Sequence, residues 1–174
     1  VADFQPAVAI TLRNEGGFYH NQVTGEIVNY GVTLKFVRES GYKTDADEAF
    51  IRNLTESEAS GIYQTYFWNR YHIGSLHDQA LANKVFDLTV NMGPGSAARP
   101  GALILLQDAV NTCGGQCAVD GVLGPHTISQ VNALDPVVLL GRYRESAKAR
   151  YTQIAAGNPE LAGDLNGWLA RLNA

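Results

Sequence analysis

Residues 4–33 read FQPAVAITLRNEGGFYHNQVTGEIVNYGVT. The first half places Phe4, Ala7, Val8, Thr11, Leu12 and then Glu15 at i, i+3, i+4, i+7, i+8 and i+11, the spacing of one helix face. Asp3 is a suitable N-cap, Pro6 falls in the first turn where it is tolerated, and Gly16-Gly17 supplies a stop. The pattern predicts a helix ending at Glu15. Residues 18–32 then switch to aromatic and β-branched side chains around Thr24-Gly25, which predicts a short, irregular hairpin. A carboxylate therefore stands at the junction of helix and hairpin, on the stripe that points toward the interior or a crevice in it.

Beyond residue 33 helical periodicity dominates. Thr55-Glu56-Ser57-Glu58 has the form of a capping box, followed by the stripe Ala59, Ile62, Tyr63, Tyr66, Phe67. A third helix carries Leu81, Val85, Leu88 and Met92 and stops at Gly93-Pro94-Gly95. Others run through Leu103–Val110, after Gly124-Pro125, over 137–156, and through Leu161, Leu165, Trp168, Leu169 and Leu172. The architecture is mainly α with one small β-hairpin after the first helix. The chain reads as one domain over 1–174, in two halves, 1–92 and 93–174, with the weakest boundary near Gly93–Gly101.

At 174 residues the chain can build one real core. Hydrophobic residues make up 45% and charged residues 17%, which is too apolar for disorder. No apolar run is long enough to span a bilayer, and the first residues lack the form of a signal peptide. The net charge of −4 and the scattered basic residues argue against nucleic acid, which needs a coherent basic footprint. Cys113 and Cys117 have no companion Cys/His pair at zinc-ligand spacing, and the histidines form no ligand pattern, so no metal or cofactor is expected. A small disulfide closing the Gly-rich loop 113–117 is favoured over two free thiols.

Glu15 invites a chemical reading. Partial burial and the negative end of the helix dipole both favour a neutral carboxyl, the form a general acid needs. The glycines beside it leave room for a bulky substrate. The segment that follows is rich in groups that suit sugars: Phe18, Tyr19 and Tyr30 as stacking faces, Asn21, Gln22 and Asn29 as amides. A plain surface glutamate at a capped helix end competes with this on the motif alone. The layout of helix-terminal Glu, hairpin and helical body is that of lysozyme-like glycosidases.

Glu15-Gly16-Gly17-Phe18 with Asn29-Tyr30-Gly31-Val32-Thr33 resembles the EGGY…NYGIT signature of the glycoside hydrolase family 108 muramidases. Val85-Phe86-Asp87 to Asn91-Met92-Gly93-Pro94-Gly95 is similar to that family's central stretch. Leu106-Gln107 and Val119-Asp120-Gly121 to Thr127 are similar to its peptidoglycan-binding region, and Asn166-Gly167-Trp168-Leu169 to Arg171 to its closing motif. The resemblance runs in order along nearly the whole chain. It implies a lysozyme-like α+β fold and a lysozyme that cleaves the N-acetylmuramic acid to N-acetylglucosamine β-1,4 bond of peptidoglycan with Glu15 as general acid. Two rivals are a lytic transglycosylase acting on the same bond and a non-catalytic wall-binding module.

The sequence departs from the family in one place. Members usually carry an Asp about nine residues after the Glu, where this chain has Thr24. The only carboxylate between Gly16 and Arg38 is Glu26, so the expected water-holding groups are Glu26 or, failing it, the hydroxyls of Thr24 and Thr33. A hairpin tip suits the wider carboxyl spacing of an inverting enzyme, ~6.5–9.5 Å. The expected sugar-binding residues are Phe18, Asn29 and Tyr30 on the hairpin and Asp87 and Asn91 on the third helix, with Asn91 bonding an N-acetyl group. Further expectations are peptidoglycan as partner, a cognate inhibitor or immunity protein as a conceivable one, a monomer, and action outside the cytoplasm, whether secreted, periplasmic or delivered to a target cell's periplasm.

Overall fold

The computed structural model describes residues 1–22, 24–96 and 98–173. Helix α1 (Phe4–Glu15) begins where Asp3 accepts a hydrogen bond from the Gln5 N–H and ends at Gly16, whose φ of 72° turns the chain out of the helix. Gln79 exchanges hydrogen bonds with the Asp3 backbone, which ties the start of α1 to α5 (Gln79–Met92). The two helices pack along their length, and Phe4 meets Phe86 edge to face at 5.8 Å, with Trp68 completing the aromatic cluster.

The hairpin is more elaborate than its sequence suggests. Strands β1 (Tyr19–His20), β2 (Ile27–Asn29) and β3 (Val32–Thr33) form a three-stranded antiparallel sheet in that order. The turn expected around Thr24-Gly25 joins β1 to β2, closed by the Asn21 N–H on the Glu26 carbonyl at 2.8 Å; Val23, within it, lies outside the described residues. A second, two-residue turn at Tyr30-Gly31 joins β2 to β3. Both central residues have positive φ, 50° and 74°, the geometry that matches the twist of a tight hairpin.

Two short helices and a pair of short strands escape periodicity. Helix α2 (Leu34–Glu39) is capped by Thr33, and α3 (Glu48–Arg52) by Asp47. Strands β4 (Gly95–Ser96) and β5 (Arg99–Pro100) pair across the suspected boundary, and Gly93 and Pro94 carbonyls cap the next helix start, so this segment is clamped. Helix α4 (Glu56–Tyr63) has the capping box and runs on into a π-helical stretch, Gln64–Asn69. Helices α6 (Ala102–Thr112), α7 (Pro125–Ala133) and α8 (Pro136–Gly157) follow, then a 3-10 segment, Pro159–Asp164, and α9 (Leu165–Asn173).

One hydrophobic cluster runs from Ala2 through Phe86 and Leu106 to Leu172, so both halves share a core. Buried Gln107 on α6 braces the 120–122 loop: its carbonyl accepts from the Asp120 and Gly121 N–H groups, and its amide donates to Asp120 and the Val122 carbonyl. Cys113 and Cys117 are free thiols, against the expectation of a disulfide. Asn111 organises this loop instead, exchanging hydrogen bonds with the Cys117 backbone at 2.8 and 2.9 Å, while the Cys117 thiol donates to the Gln107 carbonyl. Among the described residues no helix is long and apolar enough to cross a membrane.

Candidate active site

The last turn of α1 presents Thr11, Asn14 and Glu15, which share one side of the helix by their spacing. Opposite them on α5 lies Asp87, with only 1% of its side chain exposed. A buried carboxylate needs hydrogen-bond donors and counter-charge, and Asp87 has both. Its Oδ1 accepts from the Asn14 amide at 3.2 Å and the Thr11 hydroxyl at 3.4 Å. Arg171 of α9 reaches across and straddles the carboxylate, with Nε 3.1 and 3.0 Å from the two oxygens and Nη2 2.9 Å from Oδ1.

The same guanidinium donates through Nη2 to Glu15 Oε1. On the far side of Asp87 stands Lys84, its Nζ 3.7 Å from Oδ2 and donating to the Arg171 carbonyl at 2.6 Å. Glu15, Arg171, Asp87 and Lys84 thus alternate in sign and tie three helices together. Burial works against the charge on Arg171, but the hydrogen bonds and charge of Asp87, with Glu15 added, outweigh it and raise its pKa. Burial lowers the Lys84 ammonium, with Asp87 opposing. The anticipated environment of Glu15 contained burial and a helix dipole; this cation is the part it lacked.

The other carboxylate oxygen of Glu15 rests against the β2–β3 turn. A Cβ on Gly31 would stand 2.7 Å from both Glu15 Oε2 and Cγ and 2.5 Å from the Tyr63 hydroxyl oxygen, so only glycine fits between them. Tyr63 donates to the Tyr30 carbonyl at 2.8 Å and fixes the turn. Burial first, and the charge of Glu15 second, push the Tyr63 phenol up, which keeps it a neutral donor. The Glu15 and Asn-Tyr-Gly motifs are therefore two sides of one contact.

An open groove of about 590 Å³ lies beside this centre, lined by Asn14, Asn91, Asp164, Trp168, Arg171 and the backbone around Gly163 and Gly167. Trp168 stacks on Tyr151 at 5.1 Å, and Tyr151 donates to Asn91 Oδ1 at 2.6 Å. An aromatic ring, two amides and small residues along an open trough suit a polar ligand with apolar ring faces.

The structure distributes the sequence-predicted residues unevenly. Asn91 lines the groove. Asp87 does not offer itself to a sugar, because it is buried under Arg171, Thr11 and Asn14. Asn29 is likewise turned inward, 5% exposed, its amide bonded to the carbonyls of Ile51, Leu54 and Arg52, which locks the sheet to α3. Phe18 is half-buried with the Arg52 guanidinium 4.1 Å above its ring, and Tyr30 is half-buried in the left-handed turn. Thr33 uses its oxygen to cap α2 at the Phe36 N–H, 3.0 Å away. Thr24 and exposed Glu26 share the hairpin tip, the Thr24 hydroxyl accepting from the Glu26 N–H at 3.3 Å. They line a different groove of about 440 Å³, closed by Leu34, Lys35, Arg38 and Glu39 of α2. Neither Glu26 nor either threonine borders the groove beside Arg171.

Sequence reasoning missed Arg171, Lys84 and Asp164 as parts of the site. A signal existed for the first. Arg171 abuts the apolar stripe of its helix next to Leu172, as Asp87 abuts that of α5, and two opposite charges beside buried faces call for each other.

Residues 8–93 match the family model for Glycosyl hydrolase 108, and residues 101–173 that for a Predicted Peptidoglycan domain. No curated protein matches the chain. Among solved structures, the structure of Brucella abortus SagA is similar, with a TM-score of 0.76 at 22% identity, over 98% of this chain and 89% of that one. That likeness extends to the fold, across both halves.

Proposed function

Because the chain belongs to the glycosyl hydrolase 108 family and is a glycoside hydrolase carrying a peptidoglycan domain, we propose that it is a muramidase that cuts the N-acetylmuramic acid to N-acetylglucosamine β-1,4 bond of peptidoglycan with Glu15 as general acid. The observation that supports this is the position of Glu15. Its carboxyl is clamped between the Gly31 turn and Arg171, and both Arg171 and its chain neighbour Asn14 line the open groove.

In this reading the glycan lies in the groove with the bridging oxygen at Glu15. Glu15 gives its proton to that oxygen as the bond to the anomeric carbon breaks, and the departing sugar leaves as an alcohol. Water adds to the anomeric carbon of the other sugar and loses its proton, forming the new reducing end. Trp168 offers a stacking surface and Asn91 an amide donor for an N-acetyl carbonyl.

The test is Glu15→Gln, a near-isosteric change that removes the transferable proton. Release of muropeptides from purified peptidoglycan should fall by roughly 10²- to 10⁴-fold with the circular dichroism and melting curve close to wild type. A Gln variant that keeps most of its activity sinks the assignment. Product masses decide between two enzymes: a hydrolase leaves a reducing N-acetylmuramic acid, a transglycosylase a 1,6-anhydro ring.

A further inference from the structure

The family models divide the chain between 93 and 101, yet the environment of Glu15 is built from both sides of that division. Arg171 belongs to the peptidoglycan-domain side. Its guanidinium has 10% of its side chain exposed and meets one oxygen of Glu15 and both of Asp87. Its backbone carbonyl is held by Lys84. A residue needed only to dock α9 onto α5 would be satisfied by Asp87; the additional bond to Glu15 is left unexplained by docking.

We propose that Arg171 is a positioning residue of the catalytic centre: it orients the Glu15 carboxyl and stabilises the carboxylate that Glu15 becomes on giving up its proton, while Asp87 and Lys84 hold the guanidinium in place. This rests on the reading of Glu15 as the general acid. The fixed guanidinium sets where the carboxyl oxygens point and offsets the negative charge that develops there as the proton leaves, so Arg171 acts on the chemical step rather than on glycan binding.

Other ionisable groups pack around the pair. Asp87 and Lys84 approach from α5, Tyr63 from α4 and Tyr151 from α8; Arg144, also on α8, acts on Lys84. Both phenols are pushed up by burial and stay neutral through the working range. Asp87 is already committed to Arg171, Asn14 and Thr11.

The experiment measures kcat and KM on soluble peptidoglycan fragments for the full chain, R171K and R171M. In R171M kcat should fall about 10-fold or more with KM little changed. R171K, which keeps the charge but loses the planar fork, should recover part of kcat. A wild-type kcat in R171M, or a loss carried by KM, overturns the proposal and leaves Arg171 a docking residue. If circular dichroism shows R171M unfolded, R171K decides alone: a lowered kcat with KM unchanged supports the role, and any other result overturns it. Failure of the underlying reading is visible separately, as a wild-type chain without turnover or an active E15Q.

Discussion

Gly31→Ala is the sharpest test of how the hairpin and the acid are built together. Two penalties fall on the new methyl group. Gly31 has φ of 74°, and an L-residue there costs about 1–2 kcal/mol. The Cβ would also stand 2.7 Å from Glu15 Cγ and Oε2 and 2.5 Å from the Tyr63 hydroxyl oxygen, far inside contact distance. Tyr63 is 2% exposed and has no room to withdraw, so relief must come from Glu15 or the turn. Overpacking of this kind costs about 1–3 kcal/mol. The sum is about 2–5 kcal/mol, which at ~2–4 °C per kcal/mol for a chain of this size lowers Tm by roughly 4–20 °C. Displacing Glu15 by about 1 Å should lower turnover by about 10²-fold. Gly25→Ala is the control: its φ is 71°, but a Cβ there meets nothing within 4 Å. It should show only the backbone penalty of about 1–2 kcal/mol and keep near-wild-type turnover. Urea or thermal unfolding and peptidoglycan turnover, measured on both variants, decide the matter. If Gly31→Ala is as stable and as active as Gly25→Ala, the clamp on Glu15 by this turn is refuted.

Digestion in ¹⁸O-labelled water should place one heavy oxygen on each new reducing end, and unlabelled 1,6-anhydro products would replace the hydrolase with a transglycosylase. Glu26→Gln should keep most of the wild-type rate, because Glu26 lines the α2 groove, whereas Asp164→Asn should slow turnover, Asp164 being the carboxylate that lines the groove beside Arg171; the reverse pattern would restore the hairpin as the water-holding element. Both cysteines should react with a thiol reagent in protein never exposed to reductant. Cys117 should be the slower near neutral pH and speed up as pH rises, since burial, then Asp120 and Asp108, raise its thiol; a linked peptide two mass units light would show a disulfide instead.

Much of the fold was legible because the long helices advertise themselves. The Asp3 cap and Gly16 stop of α1, the Thr55–Glu58 box and the Gly93 stop of α5 are local rules that the structure obeys. The short pieces were not legible, since α2, α3 and the β4–β5 pair are too brief to show a period and are held by caps and backbone pairing. The site divided along a similar line. Glu15 stood out because its own stripe and its glycines are local. The fate of Asn29 and Asp87 depended on partners about 22 and 84 residues away, Ile51 and Arg171, and no spacing rule connects those. Asn29 and Asp87 join elements to one another, whereas Asn91 lines the groove.

The charge sequence explains why this site needs the whole chain. Glu15 alone at a helix C-terminus would face an unfavourable dipole, and Asp87 alone would be a buried, unpaired anion. Arg171 answers both, and Asp87 does most to keep the buried guanidinium charged, with Glu15 adding to it. Lys84 then balances the second anion and grips the α9 carbonyl, which returns the constraint to the helix that carries Arg171. Asp87 is the shared centre of the network, in contact with both Arg171 and Lys84. Breaking the buried Arg171–Asp87 pair, where the exposure of the two side chains is 10% and 1%, typically costs about 3–5 kcal/mol because the partner is left uncompensated, whereas neutralising Glu15 leaves Arg171 still paired with Asp87. The β2–β3 turn closes the arrangement from the other side, through Gly31 and Tyr63. An acid held in this way is pre-oriented before a glycan arrives, and its geometry depends equally on the hairpin at its back and on a helix more than 150 residues further along the chain.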